Sequence, residues 1–129
     1  MANHVRLNSL EHFLLSIMTH GREPLHVLRA DGKRVLKGVS TEDVVKALVE
    51  LVFRGYANPY FYSGKTGKSD QLKVITVQQL AEHLQDTNET EFGEWPFGKA
   101  GEYFFEITEQ GRTEEDKREY QGYYQLYAQ

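Results

Sequence analysis

Residues 40–61 read STEDVVKALVELVFRGYANPYF, and the fold turns on how this stretch is interpreted. Ser40 or Thr41 opens a helix, with Asp43 placed three residues after Ser40 as a reciprocal capping partner. Val44, Val45, Ala47, Leu48, Val49, Leu51, Val52 and Phe53 follow, interrupted only by Lys46, Glu50 and Arg54, which are spaced four apart along one line. A helix that is apolar around nearly its whole circumference is expected to be buried nearly all round. Gly55 ends it, and Tyr60-Phe61-Tyr62 reads as a strand entered through Pro59.

Upstream, Asn8 and Glu11 have capping-box spacing, and Leu10, Phe13, Leu14, Ile17 and Met18 form one apolar stripe at helical period. Gly21 supplies the stop after His20. Between Pro24 and Gly38 the period changes. Asp31-Gly32 separates Leu25 to Ala30 from Lys33 to Leu36, and Asp-Gly between apolar-containing segments predicts a type I′ hairpin, in preference to a short helix over Leu25 to Arg29.

Downstream, Ser63 to Asp70 form a basic glycine-rich turn that leads to a strand at Gln71 to Ile75. Thr76 and Gln79 cap a helix whose inner side carries Val77, Leu80, Ala81 and Leu84. Residues 85–101, acidic at first and then holding Trp95-Pro96-Phe97, are expected to be a mobile loop. Glu102 to Ile107 (EYFFEI) reads as a strand and Thr108 as a cap. Residues 113–129 are expected to form a C-terminal helix, on which Tyr120, Tyr123, Tyr124 and Tyr127 share one face. That face either covers the chain's own core or serves as an interface, because tyrosine suits sites where a ring is buried and its hydroxyl stays wet.

The 129 residues set an expectation of one domain over 1–129, and 40% apolar with 26% charged residues is an ordinary globular composition. With no cysteine there is no disulfide, thiolate nucleophile or Cys-based metal site. No apolar run approaches membrane-spanning length, and residues 1–18 lack a basic start followed by an unbroken apolar stretch, so no membrane partner and a cytoplasmic location are expected. Charge is uneven. Residues 1–73 carry 11 Lys/Arg against 7 Asp/Glu, whereas residues 74–129 carry 4 against 12. A basic half can face a polyanion and an acidic half cannot.

Three chemical constellations fail on spacing. YSGKTGKS at 62–69 puts Tyr62 where a phosphate-binding loop needs glycine. His4, His12, His20, His26 and His83 lack the i, i+4 pairing of a helical zinc site. No GxSxG or Ser-x-x-Lys arrangement provides a nucleophile. No catalytic residue, metal or cofactor is therefore expected.

Two stretches together carry a resemblance. STEDVVKALVELVFRGYANPYF, through Ser40, Ala47-Leu48, Leu51 and Gly55, resembles the third helix and following strand of winged-helix domains. EYFFEITEQGR, through Tyr103, Ile107, Thr108, Glu109, Gly111 and Arg112, resembles the closing wing strand and next helix of MarR- and PadR-type transcriptional regulators. The resemblance implies an α+β, winged-helix-like domain with a long, elaborated wing and a C-terminal helix. It implies a non-catalytic regulator binding duplex DNA, with Thr41, Lys46 and Arg54 in the groove and Lys65, Lys68 and Lys73 on phosphate. It also implies a homodimer through a terminal helix, here the tyrosine face. The alternative is a protein-interaction module that keeps the fold without DNA binding, since Glu42, Asp43 and Glu50 share the would-be reading helix and repel phosphate.

Overall fold

A computed structural model describes residues 5–63, 66–86 and 101–123. Among them the chain is α+β, with five α-helices, a terminal 3₁₀ helix and a four-stranded antiparallel sheet. The order is α1 (Ser9–Met18), β1 (Glu23–Pro24), α2 (Leu25–Val35), α3 (Thr41–Phe53), β2 (Ala57–Tyr62), β3 (Ser69–Gln71), α4 (Val77–Asp86), β4 (Glu102–Ile107) and α5 (Glu109–Glu115), then the 3₁₀ helix Arg118–Tyr123. The strands lie side by side as β1-β4-β2-β3. No helix among the described residues is long and apolar enough to cross a membrane.

Local signals set the helix starts. Asn8 with Glu11 and Ser40 with Asp43 form complete capping boxes, and Thr76 exchanges hydrogen bonds with Gln79 in the same way. The two hydrogen bonds from Ser40 hold the Asp43 carboxyl below its ordinary pKa. α3 is the spine of the core: Val44, Val45, Leu48 and Leu51 are fully buried, against Leu10, Leu14 and Leu15 of α1, Leu25 and Leu28 of α2, and Leu80 of α4. On the sheet side, β2 pairs with β4 over its whole length, from Ala57 opposite Ile107 to Tyr62 opposite Glu102.

Four sequence-based expectations are corrected. The hairpin around Asp31-Gly32 is instead helix α2, continuous from Leu25 to Val35. Leu25, Leu28, Arg29 and Gly32 are its buried face, and a Cβ at Gly32 would lie 3.1 Å from Val44 Cγ2. That glycine serves close helix packing, so the Asp-Gly pair carries no turn. The second strand beyond the glycine-rich turn is Ser69–Gln71, two residues earlier than Gln71 to Ile75, and Leu72 still donates its N–H to the Pro59 carbonyl. The C-terminal segment is not one helix from 113. α5 starts at Glu109, ends at Glu115, and is followed by the 3₁₀ turn, so Tyr120 and Tyr123 do not belong to a long α-helical face. Nor is α3 hidden all round, because Phe53 is 84% exposed. The expected loop over 85–101 falls outside the described residues except for its ends.

The turn after β4 is locked onto the turn after α3. Thr108 donates its N–H to the Tyr56 carbonyl and its hydroxyl to the Gly55 carbonyl, and its Oγ1 accepts from Gly111 N–H at 3.0 Å. A Cβ on Gly111 would come within 2.1 Å of the Tyr56 carbonyl oxygen. Gly111→Ala is therefore expected to cost about 2 kcal/mol or more, through displacement of backbone that cannot yield as a side chain would. Urea denaturation checks this, and an unchanged midpoint would refute the close approach of α5 to Tyr56.

Candidate functional site

The surface of α3 is where the resemblance places a nucleic-acid interface, and the structure puts its side chains as follows. Thr41 is half-buried in the first turn, facing a cavity shared with α2 and α4. Lys46 is exposed, and its ammonium lies 3.0 Å from Glu42 one turn earlier. Arg54 donates from Nε to Glu50 at 2.9 Å and from a terminal nitrogen to the Val5 carbonyl at 2.8 Å. Burial works against its charge, but the Glu50 hydrogen bond and the carboxylates of Glu11 and Glu50 outweigh it and raise the pKa. Both cations of the would-be reading helix thus have carboxylate partners within their own helix.

Beyond α3, Lys68 and Lys73 are exposed, on the turn before β3 and on the segment after it. Lys65 lies outside the described residues. Beside Lys73 the structure brings together a group that sequence reading missed. Phe53 (84% exposed) and Val74 (72% exposed) flank a groove of about 250 Å³ lined also by Val49, Val52 and Ile75. They are two of the three large apolar side chains exposed among the described residues. The apolar period that marked Phe53 as core gave no sign that it projects from the helix end.

The tyrosines point the other way. Tyr120 is fully buried in the chain's own core. Its hydroxyl donates to the buried Glu114 carboxylate and accepts the Leu7 N–H at 3.0 Å, while its ring stacks on His12 at 4.6 Å. Tyr123 donates to the Leu7 carbonyl at 2.7 Å, and the Arg6 guanidinium lies 4.9 Å from its ring centre. These two residues tie the C-terminal turn to residues 6–7, so the Tyr120 ring has no surface to offer a partner. Tyr124 and Tyr127 lie outside the described residues.

A second polar cluster unites distant parts of the chain. Glu102, at the start of β4, is fully buried. Its Oε2 accepts from His26 Nδ1 of α2 at 2.9 Å, and its Oε1 from His83 Nε2 of α4 at 3.1 Å and from the Tyr103 N–H. The His83 ring meets Tyr103 and Phe61 edge-on, with centroids at 4.9 and 6.2 Å. This geometry assigns the Nδ1–H tautomer to His26 and the Nε2–H tautomer to His83 when the carboxylate is ionised. Arg29 is close enough to feel the charge of Glu102, although burial of its guanidinium is the larger effect and lowers its pKa. Among the described residues no group of three or more His, Asp or Glu is arranged to hold a metal ion. Comparison with known families, characterised proteins and solved structures finds no match to this chain.

Burial first, and then the hydrogen bond to Glu114, raise the Tyr120 pKa above the ordinary phenol value. A raised acid pKa contributes stability that is fully present below the unfolded value near 10 and is lost as pH rises through the folded one. Tyr120→Phe is expected to cost about 2 kcal/mol at neutral pH and to flatten the alkaline loss of stability. Its light-scattering mass should equal that of the parent chain. A halved mass would instead mean that Tyr120 sustains a dimer.

Proposed function

We propose that this chain is a non-catalytic protein-interaction module built on a winged-helix-like core, in which α3 no longer reads DNA. Support for the core comes from element order: two consecutive helices, α2 and α3, lead into the antiparallel arm β2–β4, the helix–helix–wing succession that the resemblance implies. The two stretches that carry the resemblance also meet in space, at Gly55–Tyr56 and Thr108–Gly111.

The observation that carries the functional reading is the chemistry left exposed on α3. Base readout needs Arg, Lys, Asn or Gln free to donate into a groove, and phosphate contact needs net positive charge. Lys46 and Arg54 are each partnered by a carboxylate four residues earlier, and Phe53 stands in solvent beside Val74. An apolar pair with a lysine at its edge suits a protein partner that offers apolar side chains and a carboxylate opposite Lys73. A second reading, duplex binding through the β2–β3 arm, is favoured by Lys68 and Lys73, which have no ion-pair partner among the described residues.

Titration with a duplex at low salt separates the two readings. The interaction module should show no binding that weakens with added salt. A photo-crosslinking residue in place of Phe53 should give a discrete adduct in intact cells, abolished by Val74→Asp and not reproduced from exposed Lys37. Salt-dependent duplex binding that disappears in Lys68→Glu or Lys73→Glu, or crosslinking from Phe53 no different from that at Lys37, would overturn the proposal.

A further inference from the structure

β3 is an outer strand of the sheet, and among the described residues no strand lies on its far side. The ladder to β2 shows which backbone groups that side carries. Ser63 donates its N–H to the Lys68 carbonyl and Leu72 donates its N–H to the Pro59 carbonyl, so Lys68, Asp70 and Leu72 turn their backbone toward β2. Ser69 and Gln71, between them, turn theirs outward: two N–H and two C=O groups with no backbone partner among the described residues. The chain then runs from Leu72 into the Phe53–Val74 patch. A groove of about 490 Å³ beside Leu72 shares Val52 and Lys73 with the smaller one lined by Phe53 and Val74.

An unpaired edge accepts an added strand, whose main chain supplies hydrogen bonds while its alternate side chains set selectivity. Asp70 lies opposite Phe61, whose ring meets His83 of α4, so Lys68, Asp70 and Leu72 share the helix side of the sheet. A strand antiparallel to β3 places one residue on that side beside Leu72 and, four positions later, another beside Lys68. Lys68 is exposed with no ion-pair partner among the described residues, so it selects a carboxylate. Leu72, half-buried beside the groove, selects an apolar side chain. A second copy of this chain fits poorly, because the antiparallel register that pairs Ser69 with Gln71 sets Asp70 directly against Asp70.

We propose that β3 is extended by a strand from a partner protein, hydrogen-bonded to the outward groups of Ser69 and Gln71. An apolar side chain of that strand covers Leu72 and enters the adjoining groove. A carboxylate just before it faces Lys73, and a second, four residues after it, faces Lys68. The inference rests on the interaction role proposed for the Phe53–Val74 patch and specifies its occupant as an extended acidic segment.

The probe is the acetylated, amidated heptapeptide EFTTTET, added to the full chain and followed by methyl and backbone NMR. Saturable shifts are expected at the Ser69 and Gln71 amides and the Leu72 methyls. N-methylation of the two threonines flanking the central one should weaken binding at least about tenfold. Gln71→Pro removes an outward N–H without touching the ladder to β2, a change that edge strands tolerate, and should abolish the shift at Ser69. Lys68→Glu should weaken the peptide, and lysine in place of the peptide's second glutamate should restore it. No saturable shifts at millimolar peptide, shifts confined to Phe53 and Val74, or undiminished binding of the N-methylated peptide would each overturn the added strand. If Gln71→Pro does not fold, the N-methylated peptide on the parent chain decides it. A discrete in-cell adduct from Phe53 alongside a failed peptide would leave the interaction role standing and remove the added strand alone.

Discussion

Glu102 carries a carboxylate with no exposed surface, and the placement of α2, α4 and β4 depends on how that group is satisfied. Taking an ion out of water costs several kcal/mol, which is offset only when hydrogen bonds of good geometry replace hydration. Here the side-chain donors come from separate elements, His26 from α2 and His83 from α4, with one oxygen for each. Displacing either helix would take a donor from the carboxylate, His26 from Oε2 or His83 from Oε1, where the Tyr103 N–H would remain. Removing a single partner of such a buried group typically costs about 3–5 kcal/mol, far more than an exposed ion pair. The cluster therefore fixes α4 against the body of the domain, and with it the cavity between α4 and α3.

That arrangement explains which parts of the molecule were legible in the sequence. Helix starts were, because a cap is local: Asn8 with Glu11, Ser40 with Asp43 and Thr76 with Gln79 each span four consecutive residues. Strand β4 and Thr108, the cap of α5, were legible for the same reason. Asp31-Gly32 misled because the dipeptide has two uses. Turn chemistry exploits the freedom of glycine at positive φ, whereas α2 exploits its missing side chain where Val44 comes close. The C-terminal tyrosines misled because spacing describes a helix only if one forms, and α5 ends at Glu115, before Tyr120.

The candidate sites were the least legible. His26 and Glu102 are 76 positions apart, and His83 and Glu102 are 19 apart, with no local pattern to announce that they meet. Arg29 lies among residues that sequence reading assigned to a hairpin, so nothing suggested a buried cation beside an apolar helix face. Phe53 is the instructive case. Its period places it in the apolar run of α3, yet the run is longer than the core it serves. Phe53, the last residue of α3, faces water.

Two demands bear on a helix placed as α3 is. A reading helix must reserve an exposed face for cations and amides, whereas a spine must spend its surface on packing. Val44, Val45, Leu48 and Leu51 are spent on the core, and α4 covers part of what is left. Lys46 and Arg54 remain, each following a carboxylate by four residues, the spacing that stabilises a helix by a few tenths of a kcal/mol per pair. Arg54 also sits at the helix end, where a cation meets the last carbonyls favourably. Both cations thus serve the helix that carries them. Phe53 does the opposite: leaving so large an apolar side chain in water forgoes about 1.5–3 kcal/mol of burial. Val74 beside it widens the exposed apolar area on which the proposed interaction role rests.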